Sequence, residues 1–357
     1  MKILSRYLAR EIYISTFLVF AALLMLFGFF DLIHELGEMG KGNYRLANVL
    51  TFVLLSSPGH VYELFPVAVL IGTLFALAQF TAHSEFAVMR VSGLSMTKIS
   101  WTLAKAGLLF VVLTLVFGEF ISPYSERAAQ QLRLKATSSV VAQEFRSGLW
   151  VKDAGSFVNV DEVLPDTSLA GIKIYEFDSN YRLRTISYAQ RGVLEEENRW
   201  RLTDVAQTRF EEGRTVVSKL PQSYWFSVLN PDILNVLLVV PEQMSAWNLY
   251  AYVQHLRENK QKTTRYEIAL WSKVVYPFAS LVMILLALPF AYYQTRTGGV
   301  SAKIFTGIML GLAFHLFNRL FAHLGLLNNW PPLLSAVAPT LAFLLAAVAM
   351  TRWVEKR

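Results

Sequence analysis

Six stretches of this sequence are long and apolar enough to cross a lipid bilayer, and they fall into two groups of three around a long polar middle. They run from Ile12 to Phe30, Val61 to Phe80, Ile99 to Ile121, Val274 to Tyr293, Ile304 to Phe321 and Leu333 to Met350. A helix of about 20 mainly apolar residues spans the hydrocarbon layer, and a helix is the natural spanning form because it pairs its own backbone polar groups. Glu63 and Pro66 interrupt one end of the second stretch, so the shorter apolar piece before it, Leu46 to Ser57, reads as a separate interfacial or re-entrant helix. The first run, Ile12 to Ile33, is longer than a signal-peptide core and lacks a small-residue cleavage site after it, so it is expected to remain as an anchor. At 54% hydrophobic and 17% charged, the 357 residues are too apolar for an ordinary soluble domain.

Lys and Arg near the ends of spans are retained in the cytoplasm. Lys2, Arg6 and Arg10 precede the first span, Arg90 and Lys98 lie between the second and third, Arg296 and Lys303 between the fourth and fifth, and Arg352, Lys356 and Arg357 close the chain. Both termini are therefore expected in the cytoplasm, with the middle segment outside; Lys41 and Arg45 weaken this asymmetry without reversing it. The net charge of +7 is spread beside apolar runs rather than along a basic stripe, which argues against nucleic acid as a partner.

Between Glu144 and Val240 the pattern changes to short runs rich in Val, Ile, Tyr, Trp and Phe, separated by turn residues such as Asp178-Ser179-Asn180 and Glu211-Glu212-Gly213. A sandwich, jelly roll or open barrel is expected. Trp150, Val158, Val160, Ile172, Ile174, Trp200, Phe210 and Trp225 either form its core or face a lipid-holding groove, core being the simpler assignment. Helical connectors flank it: Ser125 to Val141 extends the third span, and Ser245 to Asn259 opens with a Ser cap and puts Leu249, Val253 and Leu256 on one face.

Catalytic signatures are missing. There is no Cys, no Walker A loop, no HExxH pair and no GxSxG elbow. The segment Thr81 to Ser100, TAHSEFAVMRVSGLSMTKIS, is amphipathic, with Phe86, Met89 and Val91 beside Glu85 and Arg90. It reads either as an interfacial connector or as a coupling helix that docks on a separate motor subunit.

Four strings, SEFAVMRVSG at Ser84 to Gly93, GEFISP at Gly118 to Pro123, GLWVKD at Gly148 to Asp153 and RYEIALWSK at Arg265 to Lys273, together with the three-plus-three order, resemble the LptF/LptG (YjgP/YjgQ) permease family, on its LptG side. The resemblance covers nearly the whole chain. It implies an α-helical membrane protein of six transmembrane helices with an inserted periplasmic all-β jellyroll-like domain. Residues 1–122 would hold spans one to three with the coupling helix near 81–100, residues 123–265 the β domain with its connectors, and residues 266–357 spans four to six. The implied function is a non-catalytic permease subunit in the bacterial inner membrane that extracts lipopolysaccharide for passage to a periplasmic bridge. The implied partners are an LptB ATPase dimer, which would bind the ATP and Mg while this chain holds no cofactor, then LptF, LptC and LptA. The acidic position of the family's SE motif falls on Glu85, so Glu85, Phe86, Met89 and Arg90 are the expected ATPase-coupling residues.

For the anionic cargo the expected phosphate contacts are Arg133 first, then Arg127, Lys135, Lys41, Lys273 and Arg319. Where family members often carry lysines near the outer end of the first span, Asp31, Gly37 and Glu38 stand here. An apolar path along the first, second and fifth spans is expected at Leu24, Phe27, Leu64, Phe65, Phe317 and Leu320, although ordinary packing or lipid contact is the simpler assignment for each residue taken alone. The competing readings are an LptF-like paralogue, a mechanical transmitter that holds no lipid, and a membrane enzyme using the outer domain.

Overall fold

The computed structural model describes residues 2–93, 95–137, 149–153, 156–164, 168–178, 182–196, 199–211, 214–227, 241–258, 260–293 and 300–355. The expected turn residues 179–180 and 212–213, the end of the first connector (138–141), and Arg296, Lys356 and Arg357 lie outside them.

Among the described residues, six helices are long and apolar enough to cross a membrane. The first, α1, spans Lys2–Leu36 and α2 spans Leu46–Ala82. A short α3, Glu85–Val91, links α2 to α4, Met96–Val116. Five residues of π-helix, Phe117–Ile121, join α4 without a break to α5, Ser122–Thr137. After the β domain come α6, Ala246–Glu258, and then α7, Thr264–Tyr293, α8, Val300–Leu327, and α9, Pro332–Glu355.

The expected break before the second span is absent. Leu46 to Ala82 form one helix of 37 residues that passes through both Pro58 and Pro66, about 55 Å long at 1.5 Å per residue. Proline removes a backbone hydrogen bond, but in a spanning helix surrounding groups meet the freed carbonyls and the helix continues. Here the surroundings are extensive: α2 packs against α1, α5, α7 and α8 and is the most buried of the six spans.

Close approach to α2 is made by small residues. A Cβ on Gly72 would overlap the backbone of Thr16 in α1, and Gly307 and Gly311 of α8 face Ile71, Leu74 and Val67 of α2 so closely that an added Cβ would fall within 2.8 Å of a side chain. The opposite sides of α1 and α8 remain open. Phe17, Met25 and Phe30 on α1, and Phe305, Leu312 and Leu316 on α8, are all exposed.

The inserted domain is one six-stranded antiparallel sheet in sequence order: β1 Leu149–Asp153, β2 Ser156–Val163, β3 Leu169–Phe177, β4 Leu183–Glu196, β5 Arg199–Glu211 and β6 Arg214–Phe226. Among the described residues its strands follow one another as a meander, because each short connection returns the chain beside the strand it has just left. Val158, Val160, Ile172, Ile174, Trp200 and Trp225 share one buried cluster, whereas Trp150 and Phe210 are exposed. The sheet is pinched at Asp204, at φ +53°: its neighbours Thr203 and Val205 pair with Gln222 and Leu220, leaving Asp204 opposite Pro221, which has no N–H to offer.

Replacing Gly72 by Val is expected to push α1 off α2 and to cost about 1–3 kcal/mol through overpacking. A lowered thermal-unfolding temperature of the purified chain checks this; an unchanged one would mean that the two helices do not meet at Thr16.

Candidate functional site

The end of the bundle nearest the β domain in the chain holds a cavity of about 240 Å³ between α1, α2 and α5. Each helix brings polar groups to it because each runs past its apolar stretch there. From α1 come Asp31 and Glu35, from α2 Ser56, His60 and Glu63, and from α5 Glu126 and Arg133.

Within it Asp31, Glu35 and Arg133 have charged or ionisable partners. His60 Nε2 meets Asp31 Oδ2. Glu35 is 2% exposed and accepts a hydrogen bond from the Tyr44 hydroxyl at 2.8 Å. Arg133, the leading phosphate candidate, holds Nη1 3.5 Å from Glu35 and Nη2 3.9 Å from Glu38, with its guanidinium 5.7 Å from the centre of the Phe52 ring. Burial, and then the hydrogen bond to Glu35, push the Tyr44 phenol well above its ordinary value. The hydrogen bond from Lys41 Nζ, at 2.7 Å, holds the Glu38 carboxyl below the usual carboxylate range.

The other expected cations are scattered. Lys41 is exposed and bound to Glu38, Lys135 is exposed on α5, and Arg127 lies 6.0 Å from the centre of the Tyr124 ring. Arg319 projects from the exposed face of α8 beside Phe317 and Leu320. Lys273 is buried on α7, its Nζ 4.5 Å from the Tyr62 ring centre and without a hydrogen-bond partner. Tyr62 is also one of the residues that line the cavity.

The six apolar candidates also divide. Leu64 and Phe65 are buried, Phe65 stacked on Phe20 with ring centres 5.0 Å apart. Leu24 is half-buried against the core, while Phe27, Phe317 and Leu320 stand on the exposed faces of α1 and α8.

At the opposite end, α3 sits in the turn between α2 and α4. Phe86 and Met89 are buried in the bundle core and fasten the helix to it, and Val88 and Val91 are exposed. Glu85 stands half-exposed in the first turn, where a carboxylate favours a helix N-terminus, and accepts a hydrogen bond from the Tyr7 hydroxyl at 3.1 Å. The Arg90 side chain lies outside the described groups.

One residue that the sequence reading passed over ties the membrane bundle to the segment leaving the β domain. Glu119, in the π-helical turn, accepts the backbone N–H groups of Ala246 at 2.8 Å and Trp247 at 3.2 Å and so caps α6 from outside, while Ser245 Oγ accepts from the Asn248 N–H. The π turn carries Glu119 out of the α-helical repeat, and Gly118 leaves room for the Tyr62 ring, which an added Cβ would strike. The signal in the sequence was an acidic residue inside an otherwise apolar span, in GEFISP.

Across residues 6–353 the chain matches the family described as lipopolysaccharide export system permease LptF/LptG. It is 30% identical over 348 residues to the lipopolysaccharide export system permease protein LptG of Escherichia coli (strain K12), covering 97% of this chain and 97% of that protein. With LptG of Haemophilus influenzae it shares 31% identity over 355 residues, 99% of this chain and 98% of the relative.

Glu119→Ala is expected to uncap α6 at a cost of about 0.5–2 kcal/mol. Amide hydrogen exchange checks it: the N–H groups of Ala246 and Trp247 should exchange faster with the middle of α4 unchanged, and equal rates in both proteins would exclude the cap.

Proposed function

The chain belongs to the LptF/LptG family of lipopolysaccharide export permeases, and from that membership we propose that it takes lipopolysaccharide from the outer leaflet of the bacterial inner membrane and passes it to a periplasmic bridge, driven by ATP hydrolysis in a separate subunit. The family match along nearly the full length carries the reading. In it both termini and α3 lie in the cytoplasm and the sheet lies in the periplasm, in keeping with the Lys and Arg beside the spans.

Each acyl methylene exposed to water costs about 0.8 kcal/mol, so the cargo needs an unbroken apolar path. The exposed faces of α1 and α8, with Phe27, Phe317 and Leu320, supply one wall of it, and an LptF chain supplies the other. Phe65, in the bundle core, acts behind that wall by holding α2 in place, and Leu64 is buried beside it in the sequence. The cations at the periplasmic end meet the lipid phosphates: Arg319 from beside the apolar path, and Arg133 after exchanging Glu35 and Glu38 for the cargo. The sheet, with its exposed edge strand β6, passes the lipid on by pairing with LptC or LptA.

ATP and Mg are held by an LptB dimer that grips α3. Phe86 and Met89 root this helix in the bundle, so that a movement imposed at Glu85, Val88 and Val91 is delivered to α2 and α4. The matched LptG relatives favour the LptG place in the complex over the LptF place.

Two measurements test the reading. Glu85→Ala should lower recovery of the ATPase with the purified complex by about tenfold, the scale of an interface hot spot, while membrane insertion is unchanged; full recovery and full transport would remove the coupling role. A photo-crosslinker placed at Phe317 or Leu320 should capture lipopolysaccharide, whereas one at buried Leu64 should not; capture at neither exposed site would show that no lipid travels along this face.

A further inference from the structure

The outer side of the first turns of α6 is aromatic and apolar where a helix in water would be polar. Leu249, Val253 and Leu256 form its buried side, and opposite them stand Trp247, which is 74% exposed, Tyr250 and Ala251. The helix holds no Asp, Glu, Lys or Arg before Arg257, although a helix on an aqueous surface places charged and polar residues opposite its buried stripe. The Trp247 and Tyr250 rings lie side by side, with centres 6.5 Å apart, and make one patch.

The spans give the height of this patch. On α4, exposed Leu109, Val112, Val116 and Phe120 follow one another at helical spacing as a lipid-facing stripe. Before the stripe comes exposed Trp101, and Lys105 reaches back over it with Nζ 5.5 Å from the ring centre; an exposed Trp with a snorkelling Lys marks one edge of the hydrocarbon layer. About 20 residues at 1.5 Å each cross a layer about 30 Å thick, which puts the other edge at Ile121. The α7 side agrees. Thr114 Oγ1 lies 3.3 Å from Ser280 Oγ, and counting outward from that contact by as many residues as separate Thr114 from Ile121 reaches Lys273, next but one to exposed Trp271.

α6 is fixed to this level. Glu119 takes the N–H groups of Ala246 and Trp247, so α6 starts beside the edge at Ile121. Leu249 shares a buried cluster with Ala269 and Leu270, and the Tyr252 ring centre is 4.6 Å from that of Tyr266. As α6 advances, its partners on α7 move back toward Arg265, so α6 climbs out of the layer alongside α7. Tyr250 then stands about 4.5 Å further out than Trp247, and Arg257 about 15 Å further out. The first position falls within the headgroup zone and the second beyond it.

We propose that lipid headgroups cover this face: Trp247 and Tyr250 sit in the interface of the leaflet at the sheet-proximal end of the bundle, with their rings at the hydrocarbon edge and the indole N–H and phenol O–H toward phosphate and ester oxygens. Together with the Glu119 cap, this contact holds the segment leaving the β domain at a fixed height on the bilayer. Lipid is the occupant because the patch adjoins the lipid-facing stripe of α4 at Phe120, and because charge appears on α6 only where the helix has left the headgroups. The inference rests on the spans and not on the nature of the cargo, so it stands or falls separately from the export reading.

The chain has no Cys, so single substitutions can carry a nitroxide spin label in the full-length protein, placed in nanodiscs of phosphatidylethanolamine and phosphatidylglycerol. Trp247→Cys and Tyr250→Cys are compared with Leu109→Cys on the lipid-facing stripe and Val217→Cys on β6, both exposed positions. Power-saturation electron paramagnetic resonance reads collisions with oxygen, which concentrates in hydrocarbon, and with a nickel chelate, which stays in water. The oxygen-to-nickel ratio should fall in the order 109, 247, 250, 217, with the value at 247 several-fold above that at 217. Labels at 247 and 250 that match 217 stand in water, labels that match 109 lie in the hydrocarbon, and labels shielded from both reagents are covered by protein; each of these results overturns the proposal. A second measurement keeps the native side chain. The fluorescence that Trp247→Phe removes should be quenched several-fold more by lipids brominated on the acyl chain near the headgroup than by lipids brominated near the chain end, and equal or reversed quenching overturns the interfacial position even if the labelled variants were distorted.

Discussion

A bilayer core supplies no hydrogen bonds, so every peptide group crossing it must find its partner inside the protein. That demand explains why the chain crosses as helices, and why α2 continues through Pro58 and Pro66 where a water-exposed helix would break. With α1, α5, α7 and α8 packed around it, α2 is the post against which the other spans are placed. Glycines set the distances. Gly72 admits Thr16, and Gly307 and Gly311 admit the side chains of α2, so α1 and α8 lie close to the post and turn their remaining apolar faces outward.

The two ends of the bundle use polarity differently. At the α3 end, buried Phe86 and Met89 make a rigid attachment and leave Glu85, Val88 and Val91 toward the outside. At the sheet-proximal end carboxylates gather around one guanidinium, and buried Lys273 rests on the Tyr62 ring with no hydrogen-bond partner. Arg133 there is already held by Glu35 and Glu38. Glu119 connects this end to α6 through two backbone N–H groups, which gives the bundle a polar hold on the segment leaving the β domain.

Much of the architecture was written in local patterns. Runs of apolar length marked the spans, alternation marked the strands, Ser245 marked the start of α6, and Leu249, Val253 and Leu256 marked its buried face. Other features were illegible because they depend on what stands opposite. Proline at 66 reads as a breaker until the packing around it is known. An acidic residue at 119 reads as an oddity until the N-terminus of α6 is found beside it. Strand order was out of reach too, since short connections permit a meander and a Greek key alike until the pairing is seen.

The sequence by itself determined that this protein lives in a membrane, with three spans, a β-rich insertion and three spans, and its strings carried the family resemblance. These follow from hydrophobicity and periodicity, which are summed along the chain. Only the tertiary structure decided which helix is central, that Arg133 is held by Glu35 and Glu38, and that Lys273 lies buried under Tyr62. The state of a charge depends on its neighbours within a few ångströms, and in a helical bundle those neighbours come from other helices.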